Sequence, residues 1–271
     1  MKRLLIGLVA PLSLLAGIPS AAASVTLGQI APGIPTSCSN SFEFLQVSSP
    51  DVSYTMPASG VITSWSHRSQ VGMGQTPTLK IYRKVGDPAS YQVVGHDGPH
   101  PVAPSTVATF PASVAVKAGD VLGITGRGGA VNIGCLHMGG TGQRGAHNGD
   151  LGASGIGEFS VATGRVNVSA VLEPDNAFTL GGVARNKKRG TATLTVNLPN
   201  PGELTGSGNG VTVASVTAHG PGPVTVKIKA TGKKKRKLSE MGKVKVAPTL
   251  TYAPTGGDPT TQSTTLKLKK R

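Results

Sequence analysis

The chain has 271 residues, 27 Lys and Arg against 12 Asp and Glu for a formal charge of +15, with 38 Gly, 20 Pro and two Cys. Glycine and proline are spread throughout and no stretch holds a 3.6-residue apolar period over three turns, which excludes a helical architecture. The length suits one large or two ordinary domains.

In chain order, the first element is residues 1–23, "MKRLLIGLVAPLSLLAGIPSAAA". Lys2 and Arg3 form a positive start, Leu4 to Ile18 an apolar run, and Ala21, Ala22 and Ala23 a small-residue cleavage site. This pattern predicts a secretory signal peptide cleaved near Ala23–Ser24. A transmembrane anchor is the alternative, but Pro11, Gly17 and Pro19 interrupt a segment already short of the roughly 20 residues that span a bilayer. No Cys directly follows the cleavage site, as a lipid anchor would need, and no later segment is apolar enough to span a membrane, so the expected location is secreted or cell surface. In an oxidising compartment Cys38 and Cys135 are expected to pair, since neither stands in the CxxC spacing of zinc or redox sites. Two buried free thiols are the alternative.

Charge divides the rest. Residues 24–174 carry 8 Lys and Arg against 8 Asp and Glu, whereas residues 175–271 carry 17 against 4, a net +13. "EPDNAF", residues 173–178, is the predicted linker. The first part contains "SVTLGQI", "FEFLQV", "GVITSWS", "TLKIYRKV", "YQVVG", "ASVAVKAGDVLGI" and "RVNVSAVL", short β-branched runs ended by turn residues. Ala118, Gly119 and Asp120 predict a hairpin turn, and the Gly-rich residues 123–157 predict long loops around Cys135. Eight to ten short strands suggest a jelly-roll-like sandwich over residues 24–174.

The second part alternates with period two. In "TATLTVNL", Ala192, Leu194, Val196 and Leu198 share one face; in "VTVKIKA", Val224, Val226 and Ile228 do so. Val244, Val246, Leu266 and Leu268 repeat the pattern, which turns Lys227, Lys229, Lys243, Lys245, Lys267 and Lys269 outward. About seven strands predict an Ig-like sandwich over residues 175–271, with Pro248 at an edge or bulge and "GKKKRK" (residues 232–237) as a loop. The predicted fold class is all-β throughout.

Several segments carry a resemblance: "FTLGGVARNKKRGTATLTVNLPNPGELTGSG", "KLSEMGKVKVAPTLTYAPTGGDPTTQSTTLKLKK", and in the first part "GVITSW", "LKIYRKV", "VVGHDGP" and "AGDVLGI". They resemble exported two-domain β proteins of soil actinobacteria with a basic C-terminal Ig-like module. The landmarks are a basic turn before a T-A-T-L-T-V-like strand, a P-G-x-L turn at Pro201 to Leu204, and a Y-x-P-x-G-G turn at Tyr252 to Gly257. The resemblance implies export and the two-sandwich architecture, and carries no assigned activity.

Chemical constellations are sparse. "GTGQRG" at residues 140–145 fits GxGxxG but lacks a following helical pattern, so it does not predict a dinucleotide site. No G-x-S-x-G stands in a strand–turn–helix context. His96, Asp97 and His100 in "GHDGPH" could hold a metal if the Gly-Pro turn folds them together; the alternative is a polar turn. Trp65, the single Trp, suggests core packing on a face shared with Val61 and Thr63, with a carbohydrate-stacking platform as the alternative.

The basic surface is the strongest signal. Arg185, Lys187, Lys188 and Arg189 form one basic turn, and Lys233, Lys234, Lys235, Arg236 and Lys237 another, beside the outward Lys243, Lys245, Lys267 and Lys269. Such a face either solubilises the sheet or binds an anionic partner: envelope polymers, lipid headgroups, acidic polysaccharide or extracellular DNA. Nucleic acid is the lesser expectation, since the module has few aromatics for base stacking. The function expected is an exported, non-enzymatic surface or matrix protein, attached by its basic module and presenting a ligand-binding N-terminal sandwich. A metal-dependent or other enzyme in the first part, or a structural spacer, are the alternatives. No cofactor is implied.

Overall fold

A computed structural model describes residues 23–39, 41–126 and 131–271. The expected signal peptide lies outside the described residues, apart from Ala23. In chain order the first strands are β1 (Val25–Gln29), β2 (Thr36–Cys38), β3 (Phe42–Ser48), β4 (Gly60–Arg68), β5 (Thr78–Gly86) and β6 (Ser90–Asp97). They continue with β7 (Val107–Val116), β8 (Val121–Thr125), β9 (Ile133–Leu136), β10 (Gln143–Asn148), β11 (Ile156–Glu158), β12 (Ser160–Thr163) and β13 (Val168–Pro174). One sheet has the order β1-β13-β4-β7, a larger one β11-β6-β5-β8-β3-β10-β12, and β2 with β9 forms a ribbon.

Alternation along these strands gives each sheet an apolar inner face, and the two inner faces meet. Leu27, Ile62, Trp65 and Leu172 of the first sheet bury against Phe44, Ile81, Leu122 and Ile124 of the second, giving an all-β, sandwich-like arrangement. Cys38, Ile133 and Cys135 of the ribbon extend the same cluster, and Cys38 and Cys135 form the expected disulfide, with Cα atoms 5.8 Å apart. A second cluster of Leu45, Tyr82, Tyr91, Val93 and Phe159 lies on the other side of the larger sheet, because β3 and β5 are apolar on both faces.

Three expectations for this half are corrected. Residues 117–120 do form a turn, with Asp120 N–H donating to Lys117 O at 3.1 Å, but β7 and β8 lie in different sheets. The turn is a crossover rather than a hairpin. The Gly-rich residues 123–157 contain β9, β10 and β11, so the half has thirteen strands among the described residues rather than eight to ten. Trp65 is buried, at 1% exposure, but its inward partner is Ile62, while Val61 is exposed. A β-bulge against β13, where Thr63 is an extra residue between the pairs Ile62–Leu172 and Ser64–Val171, moves the inward positions from i, i+2 to i, i+3.

His67 on β4 shows what burial costs. It is fully buried, Nδ1 lies 3.0 Å from Asn167 O, and Nε2 has no hydrogen-bond partner among the described residues. A proton on Nε2 would place an unpaired charge in the core, so burial lowers the His67 pKa from 6.5 to about 4. The unfolded chain therefore takes up a proton between these values while the folded chain does not, and stability falls as pH drops through that window. Unfolding free energies from urea denaturation at pH 7 and about 4.5 should differ by roughly 2–3 kcal/mol from this group. His67→Gln is expected to flatten that part of the pH profile, and an unchanged slope would remove His67 as its cause.

The second half begins with β14 (Thr179–Asn186), β15 (Thr191–Leu198), β16 (Gly202–Ser207), β17 (Val211–Val213), β18 (Val216–Ala218) and β19 (Gly222–Ala230). A helix, α1 (Gly232–Met241), follows, then β20 (Lys243–Val246), β21 (Thr249–Pro254), β22 (Thr260–Ser263) and β23 (Leu266–Lys269). The sheets are β14-β15-β19-β17 and β18-β16-β21-β22, with β20-β23 as a ribbon, ten strands rather than about seven. Leu194, Val196, Val226 and Ile228 meet Leu204, Leu250 and Tyr252 in one core, joined by Val244, Val246, Leu266 and Leu268. The inward positions read from the alternation are the buried ones, except Val224, which is partly buried against the same core.

Pro248 sits neither in an edge strand nor at a bulge: it separates β20 from β21, where the chain leaves the ribbon for a sheet. The larger correction concerns "GKKKRK", which opens α1. Lys, Arg, Leu, Glu and Met are all good helix formers, and one apolar residue, Leu238, is enough to dock a ten-residue helix here. Gly242 ends it in the left-handed conformation, φ 65°. Gly190, at φ 66° in the left-handed region that favours glycine, lies beneath this anchor: a Cβ there would come within 2.9 Å of Leu238 Cδ2.

Asn200 joins the two halves. Fully buried, it accepts from Ser59 N–H at 2.6 Å and donates to Ser59 O and Asp175 O at 2.9 and 2.8 Å.

Candidate anion-binding surface

The basic segments, distant in sequence, are stitched together by backbone hydrogen bonds. Arg271 N–H donates to Lys187 O at 3.0 Å, tying the C-terminus to the β14–β15 turn. Lys270 N–H donates to Gly242 O at 2.8 Å, tying it to the end of α1. Lys234 Nζ reaches Lys245 O at 3.2 Å, and Arg185 Nε reaches Lys267 O at 3.0 Å. Lys187, Lys188 and Arg189, the helix bearing Lys233, Lys235, Arg236 and Lys237, and the β20-β23 ribbon thus belong to one continuous basic region.

Within the ribbon, Lys243 stands directly opposite Lys269 and Lys245 opposite Lys267. The partners Val244, Val246, Leu266 and Leu268 are buried, so all four lysines project from one exposed face. Like charges facing each other across a ladder destabilise it by up to about 1 kcal/mol per pair. A surface built only for solubility would intersperse carboxylates. Here, among the described residues, no basic side chain beyond residue 175 forms a salt bridge, whereas residues 43–165 hold five between Lys or Arg and a carboxylate. Of the four carboxylates in this half, Asp175 caps Ala177 N–H and Asp258 accepts from Ala23 N–H at the junction of the halves. Glu203 is on β16, and Glu240 alone shares the helix.

The region contains a concavity. Arg189, Lys229, Lys235 and Lys270 line a groove of about 520 Å³ with Thr191, Thr212 and Ser239, between α1 and the end of the β14-β15-β19-β17 sheet. Register explains the lining: Lys229 on β19 is opposite Thr191 on β15 and Thr212 on β17, an ammonium between two hydroxyls. On α1, Lys235 and Ser239 flank the anchor Leu238, because positions i, i+3 and i+4 share a helix face. Lys270 was missed as a site residue because it lies beyond the last alternating strand; Lys229 was legible as an outward lysine, but only the register shows its hydroxyl neighbours.

The candidates of the first half are placed differently. Asp97 Oδ2 accepts from Trp65 Nε1 and sits on His100 Nε2, both at 2.7 Å, and the His100 ring stacks on Phe110 at 4.5 Å. His96 takes the opposite face of β6 from Asp97, as neighbours in a strand must, and lines a separate cavity of about 240 Å³ beside Lys80 and Thr78. The turn therefore joins two of the three proposed ligands, and among the described residues no three His, Cys, Asp or Glu side chains are grouped to hold a metal. All four Tyr and the single Trp are buried, so Trp65 is not an exposed stacking platform. "GTGQRG" runs into β10, with no helix after it. No helix among the described residues is long and apolar enough to cross a membrane.

Compared with known proteins, the chain matches no family model and no curated sequence.

Proposed function

We propose that the protein is an exported surface or matrix component that attaches to anionic envelope polymers through the basic face of residues 175–271. The observation that carries this reading is the unneutralised lysine ladder, Lys243 opposite Lys269 and Lys245 opposite Lys267, continuous with α1 and the β14–β15 turn. Self-repulsion of this kind is relieved when a polyanion supplies the missing negative charge. The signal-peptide pattern of residues 1–23 supports export, and the resemblance to exported two-domain β proteins of soil actinobacteria agrees with it. On this reading residues 24–174 are a jelly-roll-like sandwich that presents its loops, and residues 175–271 an Ig-like sandwich that attaches; two facing sheets around each core support that division.

The test is retention of the purified chain on isolated cell envelope across a salt series. Binding should weaken steeply with ionic strength, and replacing all four ladder lysines by Gln should lower the slope of log K against log salt by about one for each engaged lysine. Retention that ignores salt, or no retention at low salt, would overturn the proposal.

A further inference from the structure

Resting on that reading, we infer that the groove between α1 and the sheet is a phosphate-holding subsite, so that the polymer recognised is a phosphate-linked one rather than a polycarboxylate. Four cationic side chains, Arg189, Lys229, Lys235 and Lys270, line one concavity, and no carboxylate lines it. Hydroxyls stand among them, with Thr191 and Thr212 on either side of Lys229. A phosphate offers more acceptor oxygens than a carboxylate and, unlike a planar group, accepts donors from several directions at once, which is how a strand row, a helix face and a chain end surround this groove. The start of α1 adds to the field: Thr231 makes no side-chain cap, the first turn holds no acidic residue, and Thr231 and Gly232 border the groove.

The same surface argues against other polyanions. Single-stranded nucleic acid is held by bases stacked on aromatic rings. The aromatic residues of this half, Phe178 and Tyr252, are both buried. A bilayer surface favours apolar side chains that insert beside the lysines. Beyond residue 175 the one exposed large hydrophobic side chain is Met241.

The experiment uses the full chain and four probes at matched charge concentration: inorganic polyphosphate, polyglutamate, a mixed-sequence single-stranded DNA and vesicles containing anionic phospholipid. Polyphosphate should bind at least about tenfold more tightly than polyglutamate at equal salt, and the double variant Lys229→Gln with Lys235→Gln should bring the two within about twofold. The ladder variant Lys243→Gln with Lys267→Gln should weaken both probes in parallel and keep the preference. Pyrophosphate titrated against ¹⁵N-labelled protein should shift the amides of Thr231 to Lys235 and not those of β20. Equal affinity for polyphosphate and polyglutamate, or groove and ladder variants that behave alike, would overturn the phosphate site and leave polyanion attachment standing. Tighter binding of DNA or vesicles would overturn it in favour of those partners, and failure of all four probes would overturn both readings.

Discussion

Removing the Cys38–Cys135 bond should cost about 4–5 kcal/mol of stability. The bond closes a loop with a sequence separation of 97, and in the chain-entropy model a loop of this size restricts the unfolded chain by roughly that amount. For a chain of this size the loss corresponds to a fall in Tm of roughly 10–15 °C. The effect has two separable parts. Comparing oxidised with reduced wild type measures the cross-link itself; comparing reduced wild type with the Cys38→Ala, Cys135→Ala double variant measures packing, since Cys135 is fully buried and Cys38 nearly so. The first difference should be the larger. A reduced protein as stable as the oxidised one would mean that the β2-β9 ribbon already holds residues 38 and 135 together in the unfolded ensemble, and that the bond adds nothing.

What could be read from the sequence follows from how local the governing physics is. Period-two alternation is local, so the inward faces of β15, β19, β20 and β23, and with them the outward lysines, were legible residue by residue. Cysteine pairing was legible because few alternatives exist for two thiols. The strand at Trp65 is legible but its facing is not: Thr63, inserted between Ile62 and Ser64 at the bulge against β13, reverses the parity, and nothing in "GVITSWS" announces it. The turn at residues 117–120 was found, but whether flanking strands pair with each other or cross between sheets is decided by partners far away, β4 for β7 and β3 with β5 for β8. At α1 the difference between expectation and structure has another origin. Five consecutive basic residues suggest a repelling, solvated loop, yet their helix propensity is high and the single anchor Leu238 fits over Gly190, a contact visible only in three dimensions. That helix turned an exposed basic run into one wall of a groove.

The least legible feature is a buried charge network on the outer side of the larger sheet. "TLKIYRKV" places Lys80 and Tyr82 opposite the core-facing Leu79 and Ile81, a pattern that ordinarily means solvent. Here residues 149–155 fold over that face. Lys80 Nζ donates to Glu43 Oε1 and Gly152 O, both at 3.0 Å, Tyr82 Oη donates to Glu43 Oε2 at 2.9 Å, and Leu151 N–H donates to Glu43 Oε1 at 3.3 Å. Glu43 and Tyr82 are fully buried and Lys80 is 6% exposed. Burial, then the charge and hydrogen bond of Glu43, push the Tyr82 pKa well above its ordinary value, so the phenol stays a donor. Lys80→Met should therefore lose about 3–5 kcal/mol in urea denaturation, because Glu43 is left charged in the interior without its cation. The triple change Glu43→Leu, Lys80→Met, Tyr82→Phe removes the buried members together, leaving only the half-exposed Asp150 that lies 3.7 Å from Lys80 Nζ, and should recover most of that loss, since desolvating an ion pair offsets much of its attraction. Its amide exchange should nonetheless quicken at Leu151, whose N–H has lost the carboxylate, while Gly155, bonded to Leu151 O at 2.8 Å, reports whether the local turn survives. Recovery of stability with faster exchange at Leu151 would show that the network's role is to fix the covering segment in place. A triple variant as unstable as Lys80→Met would show instead that the ion pair contributes net stability to the fold.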